Sequence, residues 1–208
     1  MPALVEGALK TLELTVVSVA FGMILGLLLA LGRLSKNALL DKLCWAYIWL
    51  FRGTPLLMQI FFIYYALPLI YQPLSFNDIT SAFVALSLNS GAYLAEIIRA
   101  AIQSIDKGQM EAAKALGMNY RQSMFRIIVP QSYRRLIPPV GNEFIALLKD
   151  SALVSSIGMA ELMRATTQIS NAQASAWIYI PSAMLYLALT TIFTFVFEKL
   201  EKKYSVYE

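Results

Sequence analysis

The stretch ALKTLELTVVSVAFGMILGLLLAL, residues 8–31, decides the fold class. It is about 24 residues long and carries only two charged side chains, Lys10 and Glu13, near its start. About 20 consecutive apolar residues are enough for a helix to cross the roughly 30 Å hydrocarbon core of a bilayer. Gly22 and Gly26, four residues apart, give this helix a small-residue face on which a second helix can pack closely. The stretch predicts a membrane span over residues 8–32.

The composition of the whole chain also indicates a lipid environment. Hydrophobic residues make up 58% and charged residues 14% of the 208 residues, against roughly 45–50% and about 25% in soluble domains. A soluble domain of this size could not bury so much apolar surface. We predict an all-α membrane protein with one transmembrane domain over residues 1–208.

The composition excludes several kinds of function. The chain has no histidine and one cysteine, Cys44, which rules out imidazole catalysis, most zinc sites and an internal disulfide. It has no Gly-rich phosphate-binding loop of the Walker type. The net charge of +4 is assigned to membrane edges and not to nucleic acid. We expect no catalytic residue, no metal site and no cofactor in this chain.

The second hydrophobic region, residues 39–71, is too long for one simple crossing. Arg52-Gly53-Thr54-Pro55 interrupts it, because Pro55 biases the residue before it away from helix and Gly53 is a weak point. We predict an amphipathic helix over residues 40–50 and a span over residues 55–71. One long, kinked helix is the alternative.

Three more spans bring the predicted number to five, and five crossings place the two ends of the chain on opposite sides. The three spans cover residues 79–105, 136–150 and 177–199. Most of the 17 lysines and arginines would then lie on one side, in the loops 33–42 and 106–135 and in the tail from Lys199. Cytoplasmic loops carry such an excess. We predict a multi-pass protein of the cytoplasmic (inner) membrane, with its amino terminus outside and its carboxy terminus in the cytoplasm.

The loop between the third and fourth spans reads as two short helices. Asp106 can cap the first helix, and Gln109 stands where a capping box would place it. Gly117 suits the left-handed exit from that helix. The second helix should start after Asn119 and end at Val129, since a proline follows.

This loop also resembles a known family. Glu111-Ala112-Ala113, then Gly117, then Ile127-Ile128-Val129-Pro130 follow the spacing of the EAA loop of ABC importer permeases, which have leucine where this chain has Val129. RGTPLL at residues 52–57 and NEFIALLKDS at residues 142–151 resemble the polar amino acid branch. Over essentially its whole length the chain is similar to the transmembrane permease subunit of type I importers for polar, above all basic, amino acids, such as arginine and histidine permeases.

The resemblance implies partners and a coupling role. In such importers the loop docks in a groove of a separate ATPase, and five residues carry this role here: Glu111, Ala112, Ala113, Gly117 and Pro130. ATP and Mg bind to that ATPase, which is present as a dimer. A second permease subunit, most simply a second copy of this chain, and an extracytoplasmic amino-acid-binding protein complete the expected assembly. The other interpretation of the loop is a plain alanine-rich connector.

Polar residues inside two predicted spans are candidates for substrate contact. Asn89, Tyr93 and Glu96 are four and three residues apart, so they share one helical face. Glu143, Leu147 and Asp150 repeat this geometry on the fourth span, with Ser151 next in the chain. Charges at membrane depth are costly and usually face a cavity or a partner. We predict a negatively charged cavity that binds a cationic amino acid, with arginine as the first candidate.

Several alternatives remain open from the sequence. Glu96 can pair with Arg99, and Asp150 with Lys149 or Arg52, as structural bridges. Asn89 can serve helix packing. Glutamine or glutamate permeases share the architecture that the resemblance implies. An ATP-independent channel or carrier, and an intramembrane hydrolase using Glu96 and Glu143, are the rival functions.

Overall fold

The computed structural model describes residues 1–204, which contain ten α-helices and no β-strand. Two π-helical turns, Phe62–Ala66 and Met124–Ile128, and three 3₁₀ turns, Gln72–Leu74, Ser151–Ile157 and Ala176–Ile178, link some of them. The predicted all-α class is confirmed. The helices are Pro2–Arg33 (α1), Ala38–Gly53 (α2), Leu56–Phe61 (α3), Leu67–Ile70 (α4), Asp78–Gln103 (α5), Lys107–Ala115 (α6), Tyr120–Ser123 (α7), Val129–Asp150 (α8), Leu162–Gln173 (α9) and Tyr179–Tyr204 (α10).

Three helical segments of the described residues are long and apolar enough to cross a membrane: α1, α5 and Ala176–Tyr204. The pair formed by α2 and Leu56–Ile70 qualifies together, but it is bent by 105°. The predicted fourth span lies within α8, whose 22 residues extend about 33 Å at 1.5 Å per residue. Because α8 contains many polar residues, it is not among the helices that are apolar enough to cross a membrane. The number of five spans stays a prediction.

Glycine contacts hold α1 against α5 in the centre of the protein. A Cβ added at Gly26 would lie 2.9 Å from the Leu94 Cβ, and one added at Gly22 would lie 3.1 Å from the Ser90 Cβ. Both distances are below ordinary van der Waals contact, so only glycine allows the two helices to come this close. The predicted small-residue face of α1 is confirmed.

A buried amide holds the bend between α2 and α3. Gln59 donates from Nε2 to the carbonyl oxygens of Phe51, at 2.8 Å, and of Thr54, at 3.1 Å. Its Oε1 accepts a hydrogen bond of 2.9 Å from Asn89 on α5. These bonds satisfy carbonyl groups that the end of α2 leaves without helical partners. The predicted break at Arg52–Pro55 is confirmed.

Two details of the loop between α5 and α8 differ from the prediction. Asp106 accepts a hydrogen bond from the Gly108 amide at 2.7 Å, but the capping box is at Asn119 and Gln122, not at Asp106 and Gln109. A short aspartate can cap at the second amide, and Gln109 instead accepts from Gln131 at 3.2 Å.

The chain also stays helical past Val129, where the sequence predicted an end. Helix α7 runs through the π-helical turn Met124–Ile128 directly into α8. Pro130 is in the first turn of α8, directly after the π-helical turn. The hydrogen-bond register changes there, so the lack of an amide hydrogen in proline does not break a helical hydrogen bond. The second short helix of the loop and the predicted fourth span are therefore one continuous helical segment.

Candidate transport site and coupling segment

Glu96 lies in an ion-pair cluster between α5 and α2. Arg99 donates to its two carboxylate oxygens at 3.0 and 2.6 Å, and Arg52 Nη1 is 3.9 Å from Oε2. Arg99 also donates to Gln103 Oε1 at 2.6 Å. The alternative that Glu96 pairs with Arg99 is thus confirmed, and its charge is already balanced by protein cations.

Two cavities, of about 500 Å³ and about 520 Å³, adjoin this cluster and share Arg52, Tyr93 and Glu96. Three arginines and a single carboxylate line the first, and the second replaces two of these arginines with Arg135. This face is therefore net positive, contrary to the negative cavity that we predicted for it. The prediction considered one face of α5, whereas the arginines come also from α1, α2 and α8. The charged and aromatic lining of the first cavity is Arg33, Arg52, Arg99, Glu96, Trp45, Trp49 and Tyr93.

Asn89 and Tyr93 belong to different surroundings although they share a helical face. Asn89 is 7% exposed and donates to Gln59 Oε1 at 2.9 Å and to the Phe51 carbonyl at 3.3 Å. It therefore packs helices together. Tyr93 is 37% exposed, and the Arg52 guanidinium carbon lies 5.2 Å from its ring centroid, a cation–π contact.

Glu143 on α8 has different surroundings from Glu96. It is half-buried next to the Ser90 hydroxyl of α5. No lysine or arginine of the described residues lies within 4.0 Å of its carboxylate, nor of that of Asp150. The structure thus does not pair Asp150 with Lys149 or Arg52, and it places neither Glu143 nor Asp150 in the cavities at Glu96.

The remaining two candidates, one on α8 and one in the 3₁₀ turn that follows it, are packing residues in the structure. Leu147 is 2% exposed within the core. Ser151 is fully buried and donates its hydroxyl to the Leu148 carbonyl at 2.8 Å. Among the predicted substrate contacts of this region, the carboxylates of Glu143 and Asp150 therefore remain as candidates for polar contact with a substrate.

One buried carboxylate, Glu161, was not predicted from the sequence. It is 1% exposed and accepts from the amides of Met163, at 2.7 Å, and Arg164, at 2.6 Å, which makes it the cap of α9. Tyr186 on α10 donates to it at 3.1 Å and Thr11 on α1 at 3.4 Å. Its position one residue before an amphipathic helix was the only sequence signal, since glutamate is not among the preferred N-cap residues.

The coupling segment, defined as residues 106–130, which we predicted to contact an ATPase, presents its residues in two ways. Glu111 and Ala112 are exposed, while Ala113 is 3% exposed. Gly117 has φ +77, the left-handed conformation that the prediction required. The next amide, of Met118, then bonds to the Ala113 carbonyl at 3.0 Å. The glycine thereby fixes the angle between α6 and α7 and leaves Glu111 on an open surface.

Large apolar side chains extend that open surface. Leu116, Tyr120 and Phe125 are 83%, 64% and 67% exposed. Exposed apolar groups of this size, next to polar ones, are typical of protein–protein contact sites.

Comparison with known proteins decides the family. Residues 22–206 match the family described as the inner membrane component of binding-protein-dependent transport systems. The chain belongs to this family. It is a permease subunit, a transport component and not an enzyme.

Curated relatives cover almost the whole permease. It is 42% identical over 208 residues to the L-cystine transport system permease protein TcyB of Bacillus subtilis (99% of this chain, 88% of that protein). It is 37% identical over 207 residues to the glutamine transport system permease protein GlnP of Escherichia coli K12 (99% and 94%). It is 40% identical over 209 residues to the arginine transport system permease protein ArtQ of Bacillus subtilis (98% and 93%).

Solved structures agree. An amino acid ABC transporter crystallised with histidines matches with a TM-score of 0.91 and 38% identity, over 97% of this chain and 94% of that one. The MetNI methionine ABC transporter in an inward facing conformation shares the fold, with a TM-score of 0.85 at 22% identity. The permease therefore has the type I ABC importer fold and is an inner membrane subunit of an amino acid ABC transporter. Its family works with an ATPase and a substrate-binding protein.

Proposed function

We propose that this permease forms half of the translocation pathway for a polar amino acid, with arginine or another basic amino acid as the first candidate. Glu143 and Asp150 would bind the cationic groups of this substrate. The observation that carries the proposal is the half-buried Glu143 carboxylate, which has no cation within 4.0 Å among residues 1–204. A charged side chain at the centre of a membrane helix costs about 3 kcal/mol on insertion scales. A bound ammonium or guanidinium group would offset this cost through charge-assisted hydrogen bonds.

The spacing of the two carboxylates favours a substrate with two cations. Glu143 and Asp150 are seven residues apart on α8, which is two turns or about 10 Å along the helix. An extended basic amino acid can place its α-ammonium group at one carboxylate and its side-chain cation at the other. Glutamine has one ammonium group and would use one carboxylate, whereas cystine has two ammonium groups and would meet the two-cation spacing as arginine does. Glu96, Tyr93 and Asn89 have protein partners, so we give them no direct contact in this proposal.

The coupling segment would connect the pathway to ATP hydrolysis. Glu111 and Ala112 stand on the open face of α6, and the exposed side chains of Leu116, Tyr120 and Phe125 extend it. We propose that this surface docks in the partner ATPase, which binds ATP and Mg. Pro130 and the helical segment that follows would carry the movement to Glu143. This requires the segment and the carboxy terminus to face the cytoplasm and the amino terminus to face outside, and a second permease copy to complete the pathway.

Uptake by the reconstituted assembly tests the substrate assignment. The permease is purified with its ATPase and binding protein, placed in vesicles, and supplied with ATP and labelled arginine, glutamine or cystine. We expect Glu143→Gln to lower uptake of the preferred amino acid more than tenfold. Glu13→Gln, an exposed glutamate on α1, should leave it unchanged. Asp150→Asn should lower arginine uptake and spare glutamine uptake.

The possible results separate the parts of this proposal. Uptake of glutamine or cystine without arginine would overturn the basic substrate but not the permease role. Equal uptake by the Glu143→Gln and wild-type assemblies would overturn the site. Uptake that continues without ATP would favour the passive carrier.

A second experiment tests coupling. We expect Glu111→Ala to lower substrate-stimulated ATP hydrolysis about tenfold, while Glu198→Ala, which removes an exposed glutamate of α10 outside this surface, leaves it near the wild-type rate. Substrate binding to the purified assembly should survive both changes. Full stimulation in the Glu111→Ala assembly would contradict the docking role.

A further inference from the structure

We propose that the arginine cavity, the 500 Å³ cavity between α2 and α5 that contains Arg33, Arg52 and Arg99, binds the phosphate of an anionic phospholipid. The transport role does not account for this site, because the carboxylates proposed to bind substrate do not line it. The proposal rests on its charge, on the Arg52 guanidinium group, which makes no hydrogen bond within residues 1–204, and on the aromatic residues at its edge.

The charge of the cavity is the first argument. Its three arginines come from the ends of α1 and α2 and from α5, and Glu96 is the only carboxylate in the lining. That carboxylate already accepts two hydrogen bonds from Arg99. Arg33 pairs with Asp41, which is not part of the lining. The cavity keeps an excess of positive charge that an anion would balance.

Arg52 supplies the free donors. Its side chain is 43% exposed, its nearest carboxylate oxygen is 3.9 Å away, and it makes no hydrogen bond within residues 1–204. Its position is nevertheless held, because the guanidinium group lies over the Tyr93 ring at 5.2 Å. A planar guanidinium group with unused donors fits a phosphate in a bidentate manner.

The aromatic edge indicates a lipid and not a free anion. Trp45 and Trp49 of α2 stack with ring centroids 6.0 Å apart and are 51% and 63% exposed. Tryptophan is enriched at membrane–water interfaces, and the 105° bend turns α2 away from the spanning direction of the segment that follows. Leu39 and Leu43 on α2 are also exposed, at 68% and 61%. A lipid would use these side chains for its glycerol and acyl groups, whereas inorganic phosphate would not.

The location agrees with this ligand. The cavity contains Arg33, the last residue of α1, and Arg52 near the end of α2, and Lys36 lies in the turn after α1, which we predict to be cytoplasmic. Anionic lipids attract such basic regions, and basic pockets between helices on the cytoplasmic side bind lipid phosphates.

Native mass spectrometry of the purified assembly tests the proposal. Dioleoylphosphatidylglycerol is titrated into the detergent-solubilised complex, with dioleoylphosphatidylcholine in a parallel titration, and bound lipids are counted per permease chain. We expect saturable binding of the anionic lipid only. Arg52→Gln should weaken it about fivefold, from about 1 kcal/mol per cation near the surface. Lys42→Gln, which removes the same charge from α2 outside the cavity, should change it less than twofold. Arg52→Lys should weaken binding of the anionic lipid by an amount between those of Arg52→Gln and Lys42→Gln.

Each other result would overturn the site. Equal retention of the two lipids would exclude recognition of anionic charge. Equal weakening by Arg52→Gln and Lys42→Gln would show diffuse attraction instead of a cavity. Displacement of the lipid by inorganic phosphate at the same concentration would identify free phosphate as the ligand. An unchanged elution profile and melting temperature of the Arg52→Gln assembly show that the variant is folded, so that lost binding reports on the cavity.

Discussion

Two buried glutamates of this permease have opposite surroundings. Glu161 joins α1, α9 and α10 through four hydrogen-bond donors and is 1% exposed. Glu143 lies half-buried between α5 and α8 with no cation within 4.0 Å among the described residues. The first has its acceptors filled by the protein and holds helices together. The second has no such set of donors, and this difference is the reason that we propose Glu161 as a structural carboxylate and Glu143 as a binding one.

The largest effect should follow from removing Glu161. Glu161→Leu leaves the Met163 and Arg164 amides and the Tyr186 hydroxyl without an acceptor, and each unsatisfied buried donor costs about 1–3 kcal/mol. We expect a loss of about 3 kcal/mol in the free energy of unfolding, seen as a lower melting temperature in detergent. Glu161→Gln keeps one acceptor oxygen and should lose about half as much. An unchanged melting temperature of the Glu161→Leu variant would show that Glu161, like Glu143 in our proposal, does not stabilise the fold.

A smaller effect should come from one of its donors. Tyr186→Phe removes the hydroxyl that donates to Glu161 at 3.1 Å and should cost about 1 kcal/mol, the usual value of one hydrogen bond. Tyr179→Phe alters an exposed tyrosine of the same helix and serves as the control in the same melting experiment. Equal melting temperatures of the two variants would contradict the assigned network.

The smallest effect on stability should follow from removing Glu143. Glu143→Leu removes a half-buried charge without a cationic partner, and replacing such a group with an apolar one is neutral or stabilising. We expect a change of no more than about 0.5 kcal/mol in the free energy of unfolding. Saturating arginine should raise the melting temperature of the wild-type assembly but not that of Glu143→Leu. A large loss of stability in this variant would show that Glu143 is structural.

The features of the fold that were predicted correctly are those with a local signal in the sequence. Gly22 and Gly26 predicted close helix packing because spacing along one helix is enough to place them on one face. Pro55 predicted the break that Gln59 stabilises, because the restriction on the preceding residue is also local. The Glu96–Arg99 pair was among the alternatives for the same reason.

The site depended on contacts that no local pattern shows. Thr11 and Glu161 are 150 residues apart in the chain, and the Arg33 and Arg52 side chains reach the Glu96 cluster from other helices. A helical face drawn on α5 alone therefore gave the wrong charge for its cavity. The helix end expected at Val129 was wrong because a π-helical turn in front of a proline has no clear sequence signal.

That π-helical turn has a mechanical consequence. An α-helix advances by about 100° per residue, so the wide turn at Met124–Ile128 sets the angular phase between α7 and Glu143 across an unbroken axis. A π-helical turn holds about one residue more than the α-helical turn it replaces, so deleting one residue there would leave Glu143 on nearly the same face, whereas deleting one from the regular helix of α8 before Glu143 would rotate the carboxylate by roughly 100°, away from α5. Helix α8 continues from this turn through Pro138 and Pro139 to Glu143, so a movement of α7 would reach the interior along one helix and would not have to cross a loop.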